Sequence, residues 1–267
     1  MIQIGQQRTG HTVTMASGTN RDVTLSWAAL TDTGLRRDGN EDSYLAQTPI
    51  FAVADGMGGH SAGEIASAAV VGRLAEHASA DSVEPSAIGN SLRLAVDDMR
   101  ESAGDIETGT GTTVTGIAIT VSNGEPTWLV FNIGDSRVYL LRHGVLEQVT
   151  RDHSVVQELI DAGHITPEEA DVHPHGNVIT RAVGFHEDPV PDFALLPIEE
   201  GMRLLICSDG LTKELTNYGI RHFLLANPQP QAAVNQLVEA ALGNGGRDNV
   251  TVIVVDVLAV SDAEARG

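Results

Sequence analysis

Residues 112–150 read TTVTGIAITVSNGEPTWLVFNIGDSRVYLLRHGVLEQVT, and the punctuation of this stretch decides the fold class. In Thr112–Val121 the apolar Ile117, Ile119 and Val121 alternate with small or polar residues, the period of a strand. Thr127–Ile133 follows as a second strand. Val138–Arg142 and Val145–Thr150, joined by His143-Gly144, form a hairpin. Strands that follow one another with no intervening helix pair antiparallel, because a parallel pair needs a long crossover.

The rest of the chain extends the pattern. Strands are expected at Val23–Leu30, Ser43–Gln47, Ile50–Ala54, Phe193–Ile198, Arg203–Cys207 and Asn249–Leu258. Helices are expected at Ala62–Ala78 and Pro85–Glu101, then at Ser154–Ala162, Ile220–Leu225 and Gln231–Leu242. Helices grouped in pairs between runs of strands indicate an α+β protein, with antiparallel sheets covered by helices, and not a Rossmann-type fold. Residues 1–20 lack periodicity and read as a flexible leader or an added edge segment. One domain is expected over residues 21–260, with a short tail at 261–267.

The 267 residues carry 16 Lys and Arg against 36 Asp and Glu, a formal net charge of −20, with an ordinary 42% apolar content. Nucleic acid and anionic lipid are disfavoured as partners, since both would be repelled. The single cysteine, Cys207, excludes a disulfide framework and a Cys-based zinc cluster, and fits a reducing, cytoplasmic setting. Neither a signal peptide nor a membrane-spanning run is expected, and a monomer is.

Some of the acidity is patterned. Phe51-Ala52-Val53-Ala54-Asp55-Gly56, Val130-Phe131-Asn132-Ile133-Gly134-Asp135 and Leu205-Ile206-Cys207-Ser208-Asp209-Gly210 each run a buried strand into a carboxylate beside glycine. Asp248 opens the final strand, and Asn40-Glu41-Asp42 precedes Ser43. Taken singly, Asp-Gly is a turn pair. Several at the ends of buried strands supply the oxygen ligands, and the turned backbone, that a hard cation needs.

Arg37-Asp38-Gly39-Asn40-Glu41-Asp42, Asp55-Gly56-Met57-Gly58-Gly59-His60, Gly109-Thr110-Gly111-Thr112-Thr113, Gly134-Asp135-Ser136-Arg137, Ser208-Asp209-Gly210 and Arg247-Asp248-Asn249 occur in this order. Together they resemble the bacterial branch of the PPM, or type 2C, metal-dependent Ser/Thr protein phosphatases, from about Val23 to Val257. The resemblance implies a four-layer sandwich: two antiparallel sheets flanked by pairs of helices. It implies two Mn²⁺ or Mg²⁺ ions, with a third in bacterial relatives. Asp55 matches the bridging carboxylate and Gly56 offers its carbonyl. Asp209 and Asp248 match the other carboxylates of the pair. Glu41 and Asp42 match acids that reach the metals directly or through water, and Asp135 matches the ligand of the third ion, to which Asp209 also contributes. Arg37 matches the arginine that grips the substrate phosphate. Asp55, Asp209 and Arg37 are thus the expected catalytic set, hydrolysing phosphoserine and phosphothreonine in proteins with water or hydroxide held between two ions, opposite a bacterial Ser/Thr kinase.

Departures from the family pattern are local. Met57 stands where animal members have a histidine assigned as general acid. His60 reads as structural, and His153, in Asp152-His153-Ser154, matches a family-typical segment with no firm role. The stretch 163–190 resembles the flap of bacterial members, but Gly176 replaces a common arginine, and His173 and His175 read as solvated. An EF-hand at Asp38–Asp42 fails because Ser43 and Pro49 stand where Gly and Glu are required. A Cys-phosphatase reading fails because Cys207 lies in an apolar strand and Lys213 stands at the arginine position. The competing functions are a non-catalytic phosphoprotein-binding module and a phosphatase dedicated to one small regulator.

Overall fold

The computed structural model describes residues 1–15, 19–58, 62–103, 110–170, 172–185 and 188–262. In chain order the elements are β1 (Gln3–Ile4), β2 (Arg8–Thr14), β3 (Arg21–Asp32), β4 (Asp42–Gln47), β5 (Ile50–Met57), α1 (Ala62–Ala75) and α2 (Pro85–Ala103). The central strands are β6 (Gly111–Thr112), β7 (Val114–Ser122), β8 (Glu125–Ile133), β9 (Arg137–Arg142) and β10 (Val145–Gln148). Then come α3 (Val155–Asp161), α4 (Pro167–Ala170), β11 (Asp192–Pro197), β12 (Arg203–Cys207), α5 (Asp209–Thr212), α6 (Asn217–Ala226), α7 (Pro230–Gly243) and β13 (Val250–Asp262).

One sheet runs β1-β4-β5-β7-β8-β11, with β6 pairing β5, and the other runs β10-β9-β12-β13-β3-β2. The expected two-sheet, four-layer α+β sandwich is what the chain forms. Its inter-sheet core contains Trp27, Phe51, Trp128, Val130, Leu204, Ile206, Ile253 and Val255. Trp27 meets Phe51 edge-on at 5.3 Å between ring centroids, and Phe51 meets Trp128 at 6.4 Å, geometries that ring quadrupoles favour. The opposite faces of the strands bury against helices: Leu45, Ala52, Leu129 and Phe131 against α1 and α2 residues such as Val70, Leu74 and Leu92. On the other side Tyr139, Cys207, Val252 and Val254 lie in one cluster with Leu224 of α6 and Leu237 of α7. Strands covered on both faces read as nearly continuous apolar runs, which explains β13. Cys207 is a packed core thiol, its pKa pushed up to about 12 by burial.

Residues 1–20 need correction as a flexible leader. β1 adds to β4 in the one parallel pairing among the described strands, and β2 adds antiparallel to β3. Val13 and Met15 close the edge of the inter-sheet core, and Trp27 Nε1 donates to Gln6 O at 2.9 Å. Edge strands need few apolar residues, so a polar segment can pair without advertising it. At the other end β13 runs to Asp262, and residues 263–267 of the expected tail lie outside the described residues, as does His60. Among the described residues no helix is long and apolar enough to cross a membrane.

Arg203, at the start of β12, is buried against α6. Its Nε and Nη2 donate to Asp256 at 2.6 and 2.7 Å, while Nη1 donates to Leu224 O at 2.6 Å and Asn227 O at 2.7 Å. It thereby satisfies carbonyls at the C-terminal end of the helix. Arg203→Met should lower unfolding stability by about 3–5 kcal/mol in urea, since it strands a carboxylate and the carbonyls of Leu224, Asn227 and Pro228. A loss below about 1 kcal/mol would show that the cation is dispensable.

Candidate active site

The period of two along each strand predicts which side chains meet between the sheets. Tyr44 and Ala46 of β4, Phe51 and Val53 of β5, Leu204 and Ile206 of β12, and Ile253 and Val255 of β13 all face the inter-sheet core. Extending each alternation toward one end brings Asp42, Asp55, Ser208 and Thr251 to the same interior. Asp42 and Asp55 are directly opposed across β4 and β5. The carboxylates that the sequence spreads over two hundred residues are gathered at one end of the sandwich.

Asp42 is fully buried. Its Oδ2 accepts from Thr251 Oγ1 at 2.6 Å and from Ser208 Oγ at 2.9 Å, both on the opposite sheet side, while Oδ1 has no hydrogen-bond partner. Asn40 Nδ2 donates to Thr31 Oγ1 (2.9 Å), and because the Thr251 hydroxyl donates to Asp42, Thr31 Oγ1 donates to Thr251 Oγ1 (2.7 Å). Burial pushes the Asp42 carboxyl up to about 7, against the lowering effect of the Thr251 and Ser208 hydroxyls. Ser208 sits at the N-cap of α5 yet its hydroxyl serves Asp42 rather than the helix.

Asp55 is held by its backbone. Its N–H donates to Thr113 Oγ1 at 3.1 Å, and its carbonyl accepts from Thr113 N and Thr112 Oγ1, both at 2.9 Å. Burial raises its pKa well above the usual carboxylate range, with further repulsion from Asp42, Asp209, Asp135 and Asp248. At Gly56 a Cβ would collide with the Gly63 carbonyl and come within 2.7 Å of the Glu41 carbonyl oxygen. The glycine is needed for this close approach of three backbone segments.

Glu41 and Arg37 lie on the loop between β3 and β4, which Asn249 pins down. Asn249 Nδ2 donates to Thr33 O and Gly39 O at 2.9 Å, and Oδ1 accepts from Glu41 N at 2.8 Å. Burial raises the Glu41 pKa, opposed by Arg37. The Arg37 guanidinium is bidentate on Asp248, Nε to Oδ1 and Nη2 to Oδ2 at 2.9 Å each.

Asp209 opens α5 and Asp248 precedes β13. Lys213 Nζ lies 2.5 Å from Asp209 Oδ2 and 3.4 Å from Asp248 Oδ2, whereas Asp209 Oδ1 is buried with no partner. Burial opposes the lysine charge, but Asp209, Asp248 and Asp135 outweigh it and raise its pKa. Asp135, after β8, is pushed up to about 7 by burial and then by repulsion from Asp209 and Asp152.

Among the described residues, side chains as they stand do not gather three His, Cys, Asp or Glu at a metal-binding point. Lys213 and Arg37 hold the carboxylates instead. The donor set nevertheless suits a hard divalent cation: every candidate ligand atom is oxygen, two buried carboxylate oxygens have no partner, and Gly56 keeps its strand end clear of a side chain. Asp55, Asp209 and Asp248 with the Gly56 carbonyl could hold such ions. Asp42 has only Oδ1 left to face such an ion, because Oδ2 is committed to two hydroxyls.

Sequence reasoning missed Lys213 as a member of the site, although its i+4 spacing from Asp209 on a helix was a usable signal. It also left His153 without a role. The Gly134 N–H donates to His153 Nδ1 at 3.0 Å and His153 N–H to Gly134 O at 2.9 Å, clamping the turn that carries Asp135. Met57 follows Gly56 on β5, and the His173 and His175 rings lie tilted at 49° with their centroids 5.6 Å apart.

A family model for protein phosphatase 2C matches residues 35–240. The serine/threonine protein phosphatase PstP of Mycobacterium tuberculosis is 42% identical over 247 residues, 88% of this chain and 46% of its own length. Protein phosphatase PhpP of Streptococcus pneumoniae is 36% identical over 239 residues, 85% of this chain and 96% of its own. A crystal structure of the catalytic domain of PstP in complex with two manganese ions is similar at a TM-score of 0.78 and 39% identity, covering 88% of this chain and 99% of that one. The chain belongs to the protein phosphatase 2C family. It spans about half the length of the mycobacterial relative, and the family match stops short of Asp248, which the geometry adds to the site.

Asp42, Asp55 and Asp135 all have folded pKa values raised above those of the unfolded chain. The folded state then holds more protons than the unfolded one between about pH 4 and 7, so in EDTA the melting temperature should fall as pH rises through that window. Divalent ions require the deprotonated acids, so Mn²⁺ should raise the melting temperature more at about pH 7.5 than at about pH 5. An equal rise at both would break the coupling.

Proposed function

We propose that this chain is a metal-dependent phosphatase for phosphoserine and phosphothreonine in proteins, using two Mn²⁺ or Mg²⁺ ions held by Asp55, Asp209, Asp248 and the Gly56 carbonyl, with Glu41 and Asp42 supporting them. The observation that carries the proposal is the convergence of these carboxylates, two with orphaned buried oxygens, at one end of a sandwich of the protein phosphatase 2C family. Bound ions there supply Lewis-acid stabilisation of the phosphoryl group and a lowered pKa for water.

The chain's own residues orient the substrate and the centre. Arg37 has its fork on Asp248 and half its side chain in solvent, so a phosphate can share or take over the bidentate contact. The Asp42 hydroxyl relay keeps one carboxylate oxygen turned inward. Asn249 ties the Arg37 loop to Asp248, so the phosphate-gripping and ion-holding groups keep one geometry. Met57 cannot donate a proton to the leaving alkoxide. No nucleophilic side chain is required, and Cys207 is sealed in the core.

The retained carboxylates favour catalysis over the phosphoprotein-binding module, which has no need of every acid. The relatives' names as serine/threonine phosphatases support a protein substrate, with a bacterial Ser/Thr kinase as the opposing activity. A cytoplasmic monomer fits the lone unpaired cysteine and completes the proposal.

Asp209→Asn should lower Mn²⁺-dependent hydrolysis of an aryl phosphate and of a phosphothreonine peptide by more than about 100-fold, since even residues that only hydrogen-bond a metal ligand are worth about 10–100-fold. Full activity in that variant, or no hydrolysis by the wild type at millimolar Mn²⁺ or Mg²⁺, would overturn the catalytic reading.

A further inference from the structure

We propose that Lys213 is a built-in cation of the metal centre, whose ammonium occupies the carboxylate oxygen that a third divalent ion would need, and so holds the centre at two ions. The inference rests on the metal-dependent reading above.

The two oxygens of Asp209 have different fates. Oδ1 is buried with no partner and open to a divalent ion, whereas Oδ2 is taken by Lys213 Nζ at 2.5 Å. The second oxygen is therefore not free for an ion shared between Asp209 and Asp135. Asp135 is close enough to Lys213 to contribute to its raised pKa, so the ammonium lies in the field of both acids. Its place is set by the backbone: the Lys213 N–H donates to Asp209 O at 2.8 Å, stacking the side chain one helical turn over the carboxylate.

Charge gives the same count. Glu41, Asp42, Asp55, Asp135, Asp209 and Asp248 carry six negative charges when ionised. Arg37, Lys213 and two divalent ions cancel them, and a third ion would leave the centre two charges positive. A tethered ammonium also competes at an effective concentration of order millimolar or higher. That suffices against a weakly held ion but not against the two that draw on Asp55 and the free oxygen of Asp209.

The test is Mn²⁺ binding by the whole chain, counted by calorimetry and by electron paramagnetic resonance, for wild type, Lys213→Met and Lys213→Arg. The wild type should bind two ions, Lys213→Met should gain a third at least about tenfold more tightly than the wild type holds one, and Lys213→Arg should behave as wild type. Adding Asp135→Asn to Lys213→Met should remove the gained ion. An unchanged count and affinity in Lys213→Met overturns the role of Lys213 while leaving the two-ion reading intact. A wild type that binds three ions with similar affinity overturns it without any variant, and one that binds none overturns both readings.

Discussion

The Asp42 carboxylate joins the two sheets at the end where chemistry is possible. It belongs to β4 of one sheet and accepts hydroxyl protons from Ser208 and Thr251 of the other, with Thr31 and Asn40 behind them. Burial disfavours the ionised form of this group in the interior. An apolar side chain would close that end of the sandwich more cheaply. The acid instead leaves one unpartnered oxygen and a polar floor, on which Asp55 and Asp209 lie.

The acids crowd together because the strands end together. β4 begins where β5 ends, β12 ends where β13 begins, and β8 ends where β7 begins, all at one edge of the sandwich. Mutual repulsion then raises the pKa of Asp55 and Asp135 beyond what burial does, and Arg37 and Lys213 answer it in part. A share of the chain's net charge of −20 is therefore organised as a site rather than as a solvated surface.

Much of this was legible in the sequence. Alternation in residues 112–150 predicted the hairpin order, and the paired helices predicted the layers. The Asp-Gly strand ends predicted the acids, because a glycine beside a carboxylate at a buried strand terminus is a backbone demand, as the tight packing at Gly56 makes plain. The β1 and β2 edges were legible only as one of two alternatives, since their burial is small and their pairing lies with strands that the local pattern does not name. Lys213 escaped because a lysine beside a short helix reads as surface, although its contact with Asp209 is local and only that with Asp248 comes from far along the chain. His153 escaped for a similar reason, as its partner Gly134 is a backbone amide with no side-chain signature.

What the sequence determined by itself is the set of strands, their inward and outward faces, and the residue types at their ends, because these follow from local periodicity and from the conformational needs of glycine. Parity alone dictates that Asp42, Asp55 and Thr251 face the same interior as Phe51 and Ile253. Which oxygen of each carboxylate is free was decided only by the tertiary structure. Asp42 Oδ2 is spent on hydroxyls from another sheet, Asp209 Oδ2 on an ammonium, and both oxygens of Asp248 on Arg37. Lys213 is four residues from Asp209, but the hydroxyl partners of Asp42 and the Arg37 partner of Asp248 lie 166 to 211 residues away along the chain. Only the folded sandwich brings them within three ångströms or so, where charge and burial decide which groups an ion can reach.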